Sequence, residues 1–179
     1  AEPTGRIAVN HGWMTLLAEN HFRGLAFASG LVFLAVLLAF RALQPALLAV
    51  IPVAIGVLFV YAVMGLLAID IAPATSMTAA IATGLGVDFG IHLLAHIRRR
   101  LAAGTSLEAS LAGDYVVVGR ACFYSAVALG VALAVVCLSS APPLRWFGLL
   151  VSAGAFGSLF GALVMLPGVF ALLQPRPAW

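Results

Sequence analysis

Charged residues are scarce in this sequence, and lysine is absent altogether. Only 8% of the 179 residues are charged, whereas soluble domains carry about 25%. Together with 64% hydrophobic residues and a mean hydropathy of +1.15, this scarcity excludes a water-soluble fold, because so few polar groups cannot cover the surface of a chain of this size. The sequence therefore predicts a membrane protein.

Lysine and cysteine usage narrows the possible partners. All basic residues are arginines, which cluster at the ends of apolar segments without interleaved aromatic residues. This placement is typical of topology signals and headgroup anchors rather than of nucleic-acid binding. Cys122 and Cys137 both lie in apolar runs and show no metal-ligand or disulfide spacing. We therefore expect no metal, no cofactor and no nucleic-acid partner.

Five continuous apolar segments reach the ~20 residues that cross a bilayer as a helix. Only helices and closed barrels satisfy backbone groups in lipid, and these runs do not alternate between apolar and polar residues as barrel strands do. We predict an all-α membrane protein, a bundle of five transmembrane helices. The predicted spans are residues 23–43, 46–69, 74–97, 119–138 and 144–173.

The segments outside the spans are also assigned. Residues 1–22 are predicted to be an extracytoplasmic lead-in with a short interfacial helix, and residues 174–179 a cytoplasmic tail. Leucines alternate with polar residues in the long connection 98–118, which favours an amphipathic cytoplasmic helix; a solvated loop is the alternative. Tight turns are predicted at residues 44–45, 70–73 and 139–143.

The arginines are distributed unequally between the two sides of the membrane. One side holds Arg41, Arg98, Arg99, Arg100, Arg120 and Arg176, and the other holds Arg6, Arg23 and Arg145. The positive-inside rule assigns the first group to the cytoplasm, so the N-terminus is extracytoplasmic and the C-terminus cytoplasmic. The chain begins with Ala1 and a polar stretch, and we expect it to be a piece of a longer protein.

One aspartate, Asp88, lies in the middle of the third predicted span. A charge near the bilayer midplane costs on the order of 3 kcal/mol, so such residues usually mark ion pathways. Helical spacing places Gly84, Asp88, His92 and His96 at successive i, i+4 positions, ending at arginines. We interpret Asp88 as a proton-relay carboxylate, a structural aspartate being the alternative. His92 is either a second relay group or an interfacial residue, and His96 is expected at the interface.

Hydroxyl groups and glycines complete the set of candidate residues. Tyr124, Ser125 and Thr83 are possible partners of Asp88, and the sequence leaves open which of them faces it. The glycines are assigned to close helix packing, because small residues let membrane helices approach each other. These packing residues are Gly84, Gly86 and Gly90 in the third span and Gly157 and Gly161 in the fifth.

Several motifs carry a family resemblance. The run from Pro73 to Leu94, followed by three arginines, resembles the fourth and tenth helices of RND-superfamily transporters, closest to the mycobacterial membrane-protein-large (MMPL) and hopanoid-exporter branch. Gly119-Arg120-Ala121, residues 139–144 and Leu166-Pro167-Gly168 extend the resemblance over nearly the whole chain. The five-helix unit also resembles the sterol-sensing domain of Patched-like proteins.

The resemblance implies a function. The chain would be the last five helices of one transporter half, and proton flow through Asp88 would drive export of hydrophobic or lipid-like substrates, hopanoids among them. The implied partners are membrane lipids, the substrate, and the remaining half with its porter domains, with a homo-oligomer left open. Phe89 replaces a tyrosine common in the lipid-exporting branch.

Three alternative functions remain beside the transporter. A lipid-binding regulatory module resembling a sterol-sensing domain would need no proton cycle. An aspartyl intramembrane protease would need a second carboxylate close to Asp88, and Asp70 lies at a predicted helix end instead. A serine protease would need Ser158 to pair with His21. We expect the chain not to be an enzyme.

Overall fold

The computed structural model describes residues 6–106, 109–110, 113 and 115–173, and the regular elements in these ranges are helices. Five helical spans in the described residues are long and apolar enough to cross a membrane, which confirms the predicted five-helix bundle. The elements are α1 (Arg6–Phe40), α2 (Leu43–Leu66), α3 (Pro73–Ala102), α4 (Tyr115–Cys137), α5 (Pro142–Phe160), a π-helical segment (Gly161–Met165) and α6 (Leu166–Leu173). The last three follow one another without a break and form the fifth span.

Prolines begin two of the helices. Pro73 opens α3 and Pro142 opens α5, because the first turn of a helix leaves the N–H that proline lacks unpaired in any case. Thr75 fixes the start of α3. Its hydroxyl oxygen accepts the N–H of Ala72 at 2.7 Å and donates to the carbonyl of Asp70 at 2.9 Å. This start sets the register in which α3 presents its polar residues.

The first helix and the first turn differ from the sequence-based expectation. From Arg6, α1 continues unbroken to Phe40, so the described part of the predicted lead-in belongs to the same helix as the first span. The reason is that no proline interrupts residues 6–40. The connection between α1 and α2 turns at Arg41, whose φ is 52°, and not at Gln44-Pro45. Pro45 falls in the first turn of α2, where proline is tolerated.

The long connection 98–118 is partly taken up by its neighbours, because α3 extends beyond its predicted end and α4 begins before its predicted start. Between them, the N–H of Ser110 donates to the carbonyl of Ser106 at 3.0 Å, as in a helical turn. The rest of the predicted amphipathic helix lies outside the described residues, as does the tail 174–179.

The five spans differ in how extensively they contact one another. α2, α3 and α5 contact one another extensively and form its centre. α1 lies against α2 and α3, whereas α4 lies mainly against α5 and has few contacts with α3. Among the largest fully buried side chains are Leu93, Leu94 and Ile97 of α3 and Leu150 of α5. The sparse contact between α3 and α4 leaves room for a cavity.

Glycines bring the central helices into close contact. A Cβ added at Gly86 would lie 2.7 Å from the Cα of Val53, and one at Gly161 would lie 2.8 Å from the Cα of Pro52. A Cβ at Gly157 would lie 2.6 Å from a side-chain carbon of α2. These separations are shorter than carbon atoms tolerate, so the three glycines are needed for the observed packing.

The other two glycines assigned to packing are less constrained. A Cβ at Gly90 would lie 3.4 Å from the carbonyl oxygen of Ala49, close to ordinary contact. A Cβ at Gly84 would meet no atom within 4 Å among the residues that the structure describes. Close packing on α3 is therefore concentrated at Gly86.

Two long-range hydrogen bonds hold α1 against its neighbours. Near the start of its membrane span, a bond of 2.7 Å joins Nε2 of His21 to the hydroxyl of Tyr61 on α2. At its C-terminal end, Nη1 of Arg98 donates to the carbonyl of Phe40 at 3.2 Å. The guanidinium carbon of Arg98 also lies 5.9 Å from the centre of the Phe40 ring. α1 buries few side chains, so these polar contacts matter for its placement.

We expect Tyr61→Phe to lower the free energy of unfolding by about 1 kcal/mol, because the buried His21 loses a hydrogen bond while the aromatic ring is retained. Thermal unfolding of the purified protein in detergent measures the loss. Tyr124→Phe is the matched control, since Tyr124 is 68% exposed on α4. Equal effects of the two substitutions would contradict the assigned role of Tyr61.

Candidate proton-relay site

A cavity of about 570 Å³ lies between α3 and α4. Its polar wall consists of Asp88, His92, His96 and Arg99, which all belong to α3. The opposite wall belongs to α4 and is mostly apolar, with Ser125 and Cys122 as its hydroxyl and thiol groups. The cavity thus has a row of ionisable side chains on its α3 wall and mostly apolar side chains on its α4 wall.

Helical geometry explains why Asp88, His92 and His96 lie on one face of α3. Asp88, His92 and His96 follow one another at intervals of four residues, and such residues lie above one another on a helix. Asp88 is 15 residues from Pro73 and 14 from Ala102, so about 22 Å of helix separates it from either end. The carboxylate is therefore close to the middle of the span, as the sequence predicts.

The exposure of these side chains changes along the row. Asp88 and His92 are exposed on the surface of the bundle. His96 is half-buried, and its Nε2 atom is buried without a hydrogen-bond partner among the residues that the structure describes. His96 lines the same cavity, because it continues the spacing that starts at Asp88, and its interfacial depth stays a prediction.

Of the three candidate hydroxyl groups, Ser125 is the one that shares the cavity with Asp88. Tyr124 points elsewhere: it is 68% exposed, and its ring centre lies 6.1 Å from that of Phe123. Thr83 is buried and donates its hydroxyl to the carbonyl of its own helix four residues earlier, at 2.9 Å. The rotation of α4 about its axis decides between Tyr124 and Ser125, and it follows from the packing of α4 on α5.

A comparison with protein families identifies the family of the chain. The model of the MMPL family matches residues 1–179, the whole chain. The chain belongs to the MMPL family. Membership indicates a transporter of RND type, and the five apolar spans agree with a multi-pass membrane protein. No curated protein matches the chain.

Within this MMPL chain, Phe89 is an apolar residue of the cavity lining and follows Asp88 in the sequence. Its side chain is 6% exposed and belongs to the main hydrophobic cluster of the bundle. The resemblance to lipid exporters suggests a tyrosine here, and phenylalanine offers no hydroxyl. Ser125 is therefore the neutral hydroxyl group that lines this cavity with Asp88.

A second, apolar groove of about 400 Å³ lies between α1 and α2 of the MMPL chain. Leu25 and Phe33 of α1 and Val57 and Tyr61 of α2 contribute to its walls, and Val87 of α3 also lines it. Val87 is adjacent in sequence to Asp88, so α3 separates the apolar groove from the polar cavity.

Sequence reasoning missed two features near the site. Arg99 lines the cavity while Arg98 binds the end of α1, and the order within an arginine triplet carries no signal of this difference. The hydroxyl of Tyr115, at the start of α4, contacts two carbonyls of the π-helical segment. Pro167 is the sequence signal that some side chain must donate here, because a proline within a span leaves a carbonyl that needs another donor.

Proposed function

We propose that this MMPL chain is the transmembrane part of a proton-driven exporter of hydrophobic or lipid-like substrates, such as hopanoids or other lipids. In this proposal Asp88 takes up and releases the transported proton. The observation that carries the proposal is the cavity in which a mid-span carboxylate, two imidazoles and a hydroxyl group lie together.

The spacing of these groups suits stepwise proton movement. Successive members of the row Asp88, His92 and His96 are four residues apart, which corresponds to about 6 Å along a helix. Side chains at this spacing are neighbours on one helix face, so a proton can pass between them directly or through one bridging water molecule. An imidazole can both accept and donate a proton near neutral pH, so His92 and His96 connect Asp88 with the end of α3 that carries the arginines.

The exposure of Asp88 supports a partner for this face of the bundle. A carboxylate exposed to acyl chains near the bilayer centre is costly, so intramembrane acidic residues normally face protein or water. We propose that the remaining half of the transporter, which carries porter domains, covers the row of ionisable groups, a second copy of the chain being the alternative. Membrane lipids then contact the other faces.

The arginine distribution supports an orientation. Arg41 follows α1 and Arg98–Arg100 end α3, and the bond between Arg98 and Phe40 holds these two helix ends together. We propose that this end is cytoplasmic in a bacterial inner membrane and that the N-terminus is extracytoplasmic, because arginine-rich ends stay inside.

Transport is favoured over catalysis by the surroundings of the side chains that a protease would use. The Ser158 hydroxyl is fully buried at the crossing of α2, α3 and α5, where a Cβ added at Gly56 would lie 1.9 Å from it. His21 is hydrogen-bonded to Tyr61. These contacts support packing roles for both residues, and we propose that the chain is not an enzyme.

The apolar groove between α1 and α2 favours a second candidate function. A sterol-sensing-like module would hold a lipid there and would need no proton cycle. Ser29 and Tyr61 are the groove's hydroxyl groups, and its remaining lining is apolar, as an acyl chain or sterol requires. In this alternative, lipid binding is independent of Asp88 and of the pH gradient.

Reconstitution distinguishes the two candidates. The full-length protein that contains this chain is incorporated into liposomes with a fluorescent lipid-like probe, and a pH gradient is imposed. We expect movement of the probe accompanied by proton flux, and we expect both to stop when an uncoupler dissipates the gradient. Probe binding without transport, unchanged by the uncoupler, would support the sterol-sensing-like alternative and contradict the exporter.

A further inference from the structure

The fifth span contains a proline at the point where its helical register changes. Pro167 has no backbone N–H. The carbonyl left without this donor belongs to Leu163 in an α-helical register and to Ala162 in a π-helical one. The N–H of Leu166 follows the π register and donates to the carbonyl of Gly161. The carbonyls of Ala162 and Leu163 therefore have one N–H donor too few between them. Lipid cannot supply a hydrogen-bond donor within the span.

The hydroxyl of Tyr115 takes the place of that donor. Its oxygen lies 2.5 Å from the carbonyl oxygen of Leu163 and 3.1 Å from that of Ala162. Tyr115 is the first residue of α4 and is half-buried. One hydroxyl group on α4 thus contacts both carbonyls to which the missing N–H of Pro167 could have donated.

This contact lies at one end of the helix that forms the apolar wall of the cavity. One turn after Tyr115, a Cβ at Gly119 would lie 3.1 Å from a methyl carbon of Leu163, so α4 rests on the same residue to which Tyr115 is bonded. Cys122 and Ser125, on the following turns, line the cavity. Since α4 has few contacts with α3, its anchorage to the fifth span determines where this wall lies.

We infer that Tyr115 is a positioning residue of the proton-relay site. Its hydroxyl replaces the N–H that Pro167 lacks and so holds α4, with Cys122 and Ser125, in place opposite Asp88. The consequence for transport rests on the proposed function. The anchoring of α4 depends on the structure alone and is measured separately.

Thiol labelling tests the anchoring. Full-length protein is prepared with Cys122 as its single cysteine, and the rate of reaction with a small maleimide is measured in proteoliposomes. We expect Tyr115→Phe to accelerate labelling roughly three- to tenfold, which corresponds to the loss of one hydrogen bond. Tyr124→Phe should leave the rate unchanged, because Tyr124 is exposed and does not line the cavity.

A parallel version with Cys137 as its single cysteine separates anchoring from general loosening. Cys137 lies at the opposite end of α4, where its thiol is 3.7 Å from the carbonyl of Arg145. Its labelling rate should not change in Tyr115→Phe. Equal acceleration at Cys122 and Cys137 would mean that the whole helix loosens, and it would overturn the inference.

Restoring the missing donor provides the decisive comparison. Pro167→Ala supplies a backbone N–H to the fifth span, so the Tyr115 hydroxyl becomes dispensable. The double variant Tyr115→Phe/Pro167→Ala should return to the labelling rate of Pro167→Ala alone. If Tyr115→Phe does not fold, the yield of folded protein is compared instead. Failure of Pro167→Ala to restore either quantity would overturn the inference.

Transport measured in the same proteoliposomes completes the test. Tyr115→Phe should slow proton-coupled transport by roughly the same three- to tenfold, and Pro167→Ala should restore it. Faster labelling of Cys122 with unchanged transport would overturn the positioning role. If Asp88→Asn leaves transport intact, the proposed function fails, and the labelling rates then still decide whether Tyr115 anchors α4.

Discussion

Replacing Asp88 with asparagine should reduce proton-coupled transport by about 100-fold or more, the range over which a positioned acid–base group contributes. Asparagine has nearly the same shape but cannot take up or release a proton. Because Asp88 is exposed on the bundle, the substitution replaces a carboxyl group with an amide without opening a cavity in the core. The amount of folded protein in the membrane should therefore stay the same, and transport is measured in proteoliposomes with an imposed pH gradient.

Asp70→Asn is the matched control for this substitution. It makes the same chemical change at an exposed carboxylate in the turn between α2 and α3, where the backbone carbonyl of Asp70 and not its side chain accepts the Thr75 hydroxyl. Transport should be unaffected. If Asp88→Asn transports as well as the unmodified protein, Asp88 does not carry the proton and the relay proposal is wrong.

Replacing Gly86 with alanine should lower the free energy of unfolding by about 1–3 kcal/mol or more, the cost of adding an atom to a well-packed core. The new methyl group would lie 2.7 Å from Cα and 2.9 Å from the backbone nitrogen of Val53. Backbone atoms cannot rotate away, so α2 and α3 must move apart. Thermal unfolding in detergent, followed by size-exclusion chromatography, measures the loss.

Gly84→Ala controls for the change of residue type on the same helix. A Cβ at Gly84 would have no neighbour within 4 Å in the described part of the chain. Alanine favours helix over glycine by up to about 1 kcal/mol, so stability should stay the same or rise slightly. If Gly84→Ala and Gly86→Ala unfold at the same temperature, the close contact between α2 and α3 is not what Gly86 provides.

Hydropathy and proline placement predict most of the fold. The five spans follow from apolar runs long enough to cross a bilayer, and the structure has all five. The residues at which the helices begin and end follow less reliably from the sequence. Pro45 suggests a turn but lies within α2, because proline fits the first turn of a helix as readily as it fits a loop. The end of α1 is set instead at Arg41, with its positive φ.

The site is predictable along α3 and not across to α4. Spacing alone places Asp88, His92 and His96 on one face, since they share a helix of known pitch. The choice of Ser125 over Tyr124 depends on how α4 is rotated about its axis. This rotation is set by contacts with the fifth span, such as that of Tyr115 with Leu163, 48 residues away in sequence. Pro167 indicates that a carbonyl needs another donor, but no local pattern shows that Tyr115 supplies it.

The unequal contacts of the spans bear on how the protein is made. α4 packs mainly on α5, the next span to be synthesised, and the contacts of α2 with Gly157 and Ser158 also depend on α5. The helices α1 to α4 are therefore synthesised before the helix that completes the core of this bundle. During this interval Gly56 of α2 has no Ser158 to pack against. Between synthesis of α4 and of α5 the surfaces of α2 and α4 that face α5 therefore lack their partner, and exposed surface of this kind is what chaperones act on.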